Sequence, residues 1–456
     1  MFLKSILNPR YNLSWTIFHC VLGALSTITP FALIAWFYLL FFTNLPSSLS
    51  RFTQRKDFHF LALLFYLISF ELLDRMAKTS PFLPYELGKY MLLAALALGL
   101  LVRGVRFGTG MVMALLITPA AFYDFSGQRM FFDLVNNYFG PLSLALGLAL
   151  FYRSPIQRGQ LDQLLRLIWL TCLSSLIFTY LKTPDFDEIS FSLKAQFDTT
   201  GGHSSNQVST ILGLGMFLSF YSVFQKLKFS GKRFLDILIM LGFTFQGLLS
   251  FSRGGMITGL LGMFVIFYYA NQANMRRNAG RYVFISIFAA VSLFFVFNVA
   301  DRITGGKLML RYKGETEGTY GGHKEKTADV VLSGRLSIFS SDFNVWLDNP
   351  LLGVGAGSSA KLNGVASHIE LSRLLADHGV FGLIFFLLTF YTFYRSFKLV
   401  KINQDKALLL SLFLLAVSTS FHAAMRTFLT PAFVILSTFS ITYPSTRIQK
   451  ALNESS

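Results

Sequence analysis

Arginine, glycine and histidine recur in four short segments, each suited to handling an anion or a proton. Ser250-Phe251-Ser252-Arg253-Gly254-Gly255 lies between two apolar runs. The glycine pair lets a ligand approach backbone, and the next helix would aim its N-terminus at an anion. The Arg253 fork can bind two phosphate oxygens. The same residue also reads as a helix-end arginine held by lipid phosphates. Gly334-Arg335 is followed by Asn349-Pro350-Leu351-Leu352-Gly353-Val354-Gly355-Ala356-Gly357. That glycine run suits a backbone nest for an anion, or a flexible loop after a helix stopped by Pro350. His368 precedes an apolar helix, and an imidazole suits proton transfer near neutral pH. Glu370 and Arg373 are close enough in sequence to tune it, and His378 competes for the role. A solvated interfacial histidine is the plainer reading.

The fourth segment is Asp185-Phe186-Asp187-Glu188, then Gly201-Gly202-His203-Ser204-Ser205-Asn206. The Asp-x-Asp pair could hold a divalent ion on a phosphorylated donor. An exposed acidic turn is favoured over that reading. His-Glu-x-x-His spacing and a Gly-x-Ser-x-Gly elbow are both absent. No metal and no cofactor is expected.

The elements that must position these residues are apolar. The chain has 456 residues, of which 53% are hydrophobic and 14% charged, with 51 Phe. Mean hydropathy is +0.53. A soluble domain carries about 25% charged residues, so this chain could not cover a water-facing surface. Disorder is excluded by the same apolar excess. Apolar runs fall near 14–43, 58–74, 84–102, 105–123, 133–152, 161–181, 204–225, 235–252, 254–270, 281–299, 375–395, 405–421 and 427–443. At about 20 residues per crossing they predict an all-α polytopic membrane protein with roughly 12–14 helices. The first run holds Thr29-Pro30 and reads as one tilted helix or two short ones. It is expected to stay as an anchor, since no cleavage site is convincing.

The net charge of +17 is 40 Lys and Arg less 23 Asp and Glu. Of the basic residues, 22 of 40 sit at the N-terminus or in every second connection, including Arg51, Arg55, Arg103, Arg106, Arg153, Arg158, Lys226, Arg276, Arg277, Arg395 and Arg447. That alternation is the positive-inside pattern, so the excess marks cytoplasmic loops and not nucleic-acid binding. Cys20 and Cys172 fall in apolar stretches, so no disulfide framework is expected.

The outward connections include 182–203, the turn at 250–255, the stretch 300–374 and the short 422–426. Residues 301–367 hold eight Lys/Arg, seven Asp/Glu and eleven Gly. A loop this long is usually functional. Leu336, Phe339, Phe343, Val345 and Trp346 give 335–348 an amphipathic helical pattern. The chain divides accordingly into membrane helices over 1–299, a periplasmic loop subdomain over 300–374, C-terminal membrane helices over 375–443 and a cytoplasmic tail over 444–456. Charges inside the helices, such as Lys89, Asp133, Arg166 and Asp236, sit near ends or singly. A transporter or flippase would pair buried charges, so this spacing argues against one.

The ordered set of Gly201–Asn206, Ser252–Gly254, Gly334-Arg335 with Asn349–Gly355, and His368 resembles the O-antigen ligase and polymerase superfamily. The likeness spans roughly 200–385. His368, Gly379 and Gly382 have the spacing of the ligase pattern, with Ile369 and Leu383 where it carries polar residues. The resemblance implies a metal-independent, inverting glycosyltransferase of the GT-C type in the bacterial inner membrane, with its site facing the periplasm. Its donor would be a glycan on undecaprenyl pyrophosphate. The acceptor would be the lipid A–core oligosaccharide for a ligase, or another lipid-linked repeat unit for a polymerase. It implies that His368 is the general base. Arg253, Arg335, Ser252, Gly254 and Asn206 would bind the donor pyrophosphate.

Overall fold

The computed structural model describes residues 2–8, 12–104, 107–271 and 279–443. The basic residues Arg10, Arg106, Arg276, Arg277 and Arg447 and the tail 444–456 lie outside them. Each apolar run contains helix, and the last, 427–443, ends in a short strand. The first run is two helices, Asn12–Ile28 and Phe31–Thr53. They part at Thr29-Pro30, because proline cannot donate to the preceding turn. The run at 58–74 also divides, into Phe58–Ile68 and Glu71–Ala77. Among the described residues, five helices each have the length and hydropathy to cross a membrane alone: Phe31–Thr53, Phe131–Phe151, Arg158–Lys182, Ser205–Phe224 and Glu370–Phe397. The two strands, Pro155–Gln157 and Ser440–Thr442, form a short parallel pair. The chain is an all-α polytopic membrane protein.

Two close helix contacts set up the rest. Helices Ser205–Phe224 and Arg253–Asn271 pack almost backbone to backbone. A Cβ on Gly255 would lie 2.2 Å from the Ser209 backbone, and one on Gly259 2.5 Å from Gly213 O. Small residues one turn apart permit this approach, as they do between membrane helices generally. Helix Asn403–Ser420 closes on the other side, where Ser411 Oγ donates to Gly262 O at 3.1 Å.

The stretch 300–374 is built of short helices: Lys307–Tyr312, Glu317–Tyr320, Ala328–Val331, Arg335–Asp348 and Ser359–Asn363. Helix Arg335–Asp348 stops just before Pro350, whose carbonyl accepts from Trp346 Nε1 at 3.1 Å. Asp329 caps its start, taking the N–H groups of Leu336 and Ser337 at 2.9 and 3.1 Å.

Not all of the charges sit singly as expected: Lys89 and Asp133 are paired, with Glu86 and Lys361, whereas Arg166 and Asp236 form no salt bridge among the described residues. Arg75 pairs with Glu71 at 2.6 Å and Glu86 at 2.9 Å, and Glu86 also takes Lys89 at 2.8 Å. Arg373 pairs with Glu370 at 2.6 Å. Arg158 pairs with both Asp162 and Asp405. The partners come partly from different helices, so the fold, not sequence spacing, assembles these groups. Absence of buried pairs therefore no longer argues against transport. The enzyme reading rests on the site itself.

Candidate functional site

Asn206 enters at the first turn of helix Ser205–Phe224. Ser252, Arg253 and Gly254 enter at the start of helix Arg253–Asn271. The glycine-mediated contact brings these two starts together. Ser252 Oγ donates to Asn206 Oδ1 at 2.9 Å and accepts from Ser209 Oγ at 2.9 Å. Gly254 is needed for a close approach: a Cβ there would lie 2.7 Å from Cγ of His422. His422 Nδ1 donates to Ser418 O and its Nε2 accepts from Thr210 Oγ1, each at 2.9 Å.

A cleft of about 150 Å³ lies in front of this turn. Asn206, Ser252, Arg253, Gly254, Arg335 and His368 all line it, together with Arg311, Ser205, Phe251, Ser333 and Ala195. All six residues expected from sequence thus share one cavity. Arg311 was not expected. Its helix Lys307–Tyr312 folds over Phe251, and its guanidinium donates to Phe251 O and Ser333 Oγ at 3.5 Å. Arg253 donates to Val331 O and to Ser333 Oγ.

The cleft is short of negative charge. Among the described residues, Arg253, Arg311 and Arg335 form no salt bridge, and neither does nearby Arg426. Burial, then Arg253, lowers the pKa of Arg335; burial, then Arg253 and Arg335, lowers that of Arg311. Guanidiniums crowded this way without a carboxylate favour an anion between them.

His368 is held by the connection between helices Asn403–Ser420 and Leu429–Ser437. Ala424 N donates to His368 O at 3.1 Å, and Arg426 donates to Ser367 O at 2.8 Å and to His368 Nδ1 at 3.3 Å. Two buried carboxylates pin that connection. Glu370 Oε2 accepts from Met425 N at 2.9 Å, and Glu71 Oε2 accepts from Phe428 N at 2.8 Å. Burial, with Arg426 and Arg335 nearby, pushes the His368 imidazole down to about 4. It is therefore neutral at pH 7.

Residues 237–387 match the family model described as O-antigen ligase. The chain carries an O-antigen ligase family domain. No curated protein and no solved structure matches the chain. The family domain gives a ligase- or polymerase-type function in a multi-pass membrane protein acting on lipid-linked glycans. It holds Ser252, Arg253, Gly254, Arg311, Arg335 and His368. Asn206 comes from before the matched span, and His422 and Arg426 from after it.

Other candidates lie elsewhere. The glycine nest does hold an anion, but it is the chain's own: Gly357 N and Ser359 N donate to the Asp377 carboxylate at 2.9 and 3.1 Å. Gly379 and Gly382 serve packing. Gly379 carries φ +61 within helix Glu370–Phe397, and a Cβ on Gly382 would lie 2.0 Å from Leu374 O. His378 is buried and does not line the cleft; its ring centroid lies 6.5 Å from that of Tyr138. His203 approaches Gln207 at 3.4 Å, and His323 is exposed. Asp185 and Asp187 are exposed, and no cluster suited to a metal occurs among the described residues.

Proposed function

We propose that this protein is an O-antigen ligase of the bacterial inner membrane, with the arginine cleft facing the periplasm. It transfers a glycan from undecaprenyl pyrophosphate to the lipid A–core oligosaccharide, without a metal and with inversion. The observation that carries this reading is the convergence of three arginines without carboxylate partners on the cleft that also holds His368. A pyrophosphate leaving group gains negative charge as the glycosidic bond breaks. Arg253, Arg311 and Arg335 stabilise that charge, each charge-assisted hydrogen bond contributing about 1.5–3 kcal/mol. Ser252 and Asn206 add polar partners, and Gly254 keeps the turn open to the anion.

His368 is the general base. It takes the proton of the attacking acceptor hydroxyl as the new bond to the anomeric carbon forms. A lipid tail needs an apolar path. Phe37, Phe41, Leu64, Leu67, Leu87 and Met91 line an apolar groove of about 390 Å³. Arg75 donates to Tyr85 O at 2.9 Å and to Gln207 Oε1 at 2.7 Å, next in sequence to Pro84 of the groove and Asn206 of the cleft.

The test is a glycan gel of lipopolysaccharide from a strain lacking the gene. Complementation with His368→Ala should leave no ladder on the core while long lipid-linked polymer accumulates. A core capped with a single repeat unit instead would make the protein a polymerase.

A further inference from the structure

Both ring nitrogens of His368 are already committed. A guanidinium can only donate, so the Arg426 contact at 3.3 Å occupies the Nδ1 lone pair. A neutral imidazole then carries its proton on Nε2. Neither nitrogen offers a free lone pair to an acceptor hydroxyl. For His368 to act as a base, Arg426 must let go of it. Arg426 forms no salt bridge among the described residues; Glu370 and Glu86 attract it only at longer range, and its other hydrogen bond is to Ser367 O. The charged and titratable groups around this pair include Arg335, Arg253 and Arg311 across the cleft, His422, and, acting on Arg426, Arg373 and Glu370 on helix Glu370–Phe397 and Glu86 before helix Leu87–Arg103.

We infer that Arg426 is a positioning residue that masks the Nδ1 lone pair of His368 until the anionic headgroup of the donor draws the guanidinium away. This rests on the transferase reading above. When the headgroup arrives, Arg426 turns from Nδ1 to phosphate oxygen. The Nδ1 lone pair is then free to take a proton, and the added negative charge makes imidazolium less costly. The acceptor hydroxyl then attacks the anomeric carbon and its proton passes to His368 Nδ1. The bond from that carbon to the phosphate oxygen breaks, and its electron pair leaves on the pyrophosphate. The proton later returns to solvent. Acceptor activation is thereby tied to donor occupancy.

The test uses the full chain in lipid nanodiscs, labelled with ¹⁵N at histidine, and inorganic pyrophosphate as the probe. The His368 signals are assigned by their loss in His368→Ala. The unliganded protein should show Nδ1 bare and Nε2 protonated. Pyrophosphate should raise the titration midpoint of His368 by about a unit or more. In Arg426→Gln the midpoint should already be raised, and pyrophosphate should move it much less. Arg426→Lys keeps a cationic donor and should restore the shift, which a merely misfolded variant could not do. An Nδ1–H tautomer in the empty protein, or an Arg426→Gln midpoint equal to wild type, overturns the inference. Failure of wild type to bind pyrophosphate, read by calorimetry, overturns the transferase reading and this inference with it. Pyrophosphate binding with no movement of His368 overturns only the inference.

Discussion

Gly357 N donates to Asp377 Oδ2 at 2.9 Å, so the glycine loop after helix Arg335–Asp348 closes around a buried carboxylate of the chain itself. Gly357 has φ +85, and a Cβ on it would lie 2.6 Å from Asp133 O. Glycine is required there by both conformation and space. Asp377→Ala leaves two buried N–H groups, of Gly357 and Ser359, without their acceptor. The expected loss is about 1–3 kcal/mol for each such group. Thermal melting of the purified variant in nanodiscs checks this; an unchanged midpoint means the nest is not structural.

Arg311 is expected to matter as much as Arg253 and Arg335. Replacing any of the three by Ala should reduce donor use about tenfold or more, the scale of one charge-assisted hydrogen bond. Exposed Lys324 serves as control. Competition by inorganic pyrophosphate against a labelled donor measures it. Equal effects at Lys324 and the three arginines would discredit the cleft.

Gly254→Ala drives a methyl group toward His422. Overpacking of this kind costs about 1–3 kcal/mol. Because His422 and the Arg253 turn both lie against position 254, activity should fall further than stability. Parallel transfer and melting measurements separate the two. A variant with normal turnover shows that the turn tolerates the shift.

Acid should weaken the fold. Burial holds both His368 and His422 down to about 4, against an ordinary 6.5. Between those values the unfolded chain binds protons that the folded chain does not. Stability is thus full above pH 6.5, declines as pH falls and has lost this contribution below about 4. Melting curves at stepped pH should show the decline, and His422→Asn should flatten part of it.

A chelator should leave transfer unchanged. Asp185 and Asp187 are exposed and away from the residues lining the cleft. If EDTA abolishes activity and magnesium restores it, that acidic pair is where a metal must be sought.

The sequence alone determined the helical membrane class, the helix over 335–348 and the residues most worth testing, and it left the first run open between one helix and two. These follow from composition, hydrophobic period and local steric rules, which act over a few residues. What only the tertiary structure decided is company. Asn206 meets Ser252 across 46 positions, and Arg426 meets His368 across 58. Glu71 reaches Phe428 across 357. Arg311 carries no local signal that it folds over the cleft, and Asp377 none that it fills the glycine nest. Such pairings depend on which helices pack together. Here Gly213, Gly255 and Gly259 admit a backbone contact that longer side chains would forbid.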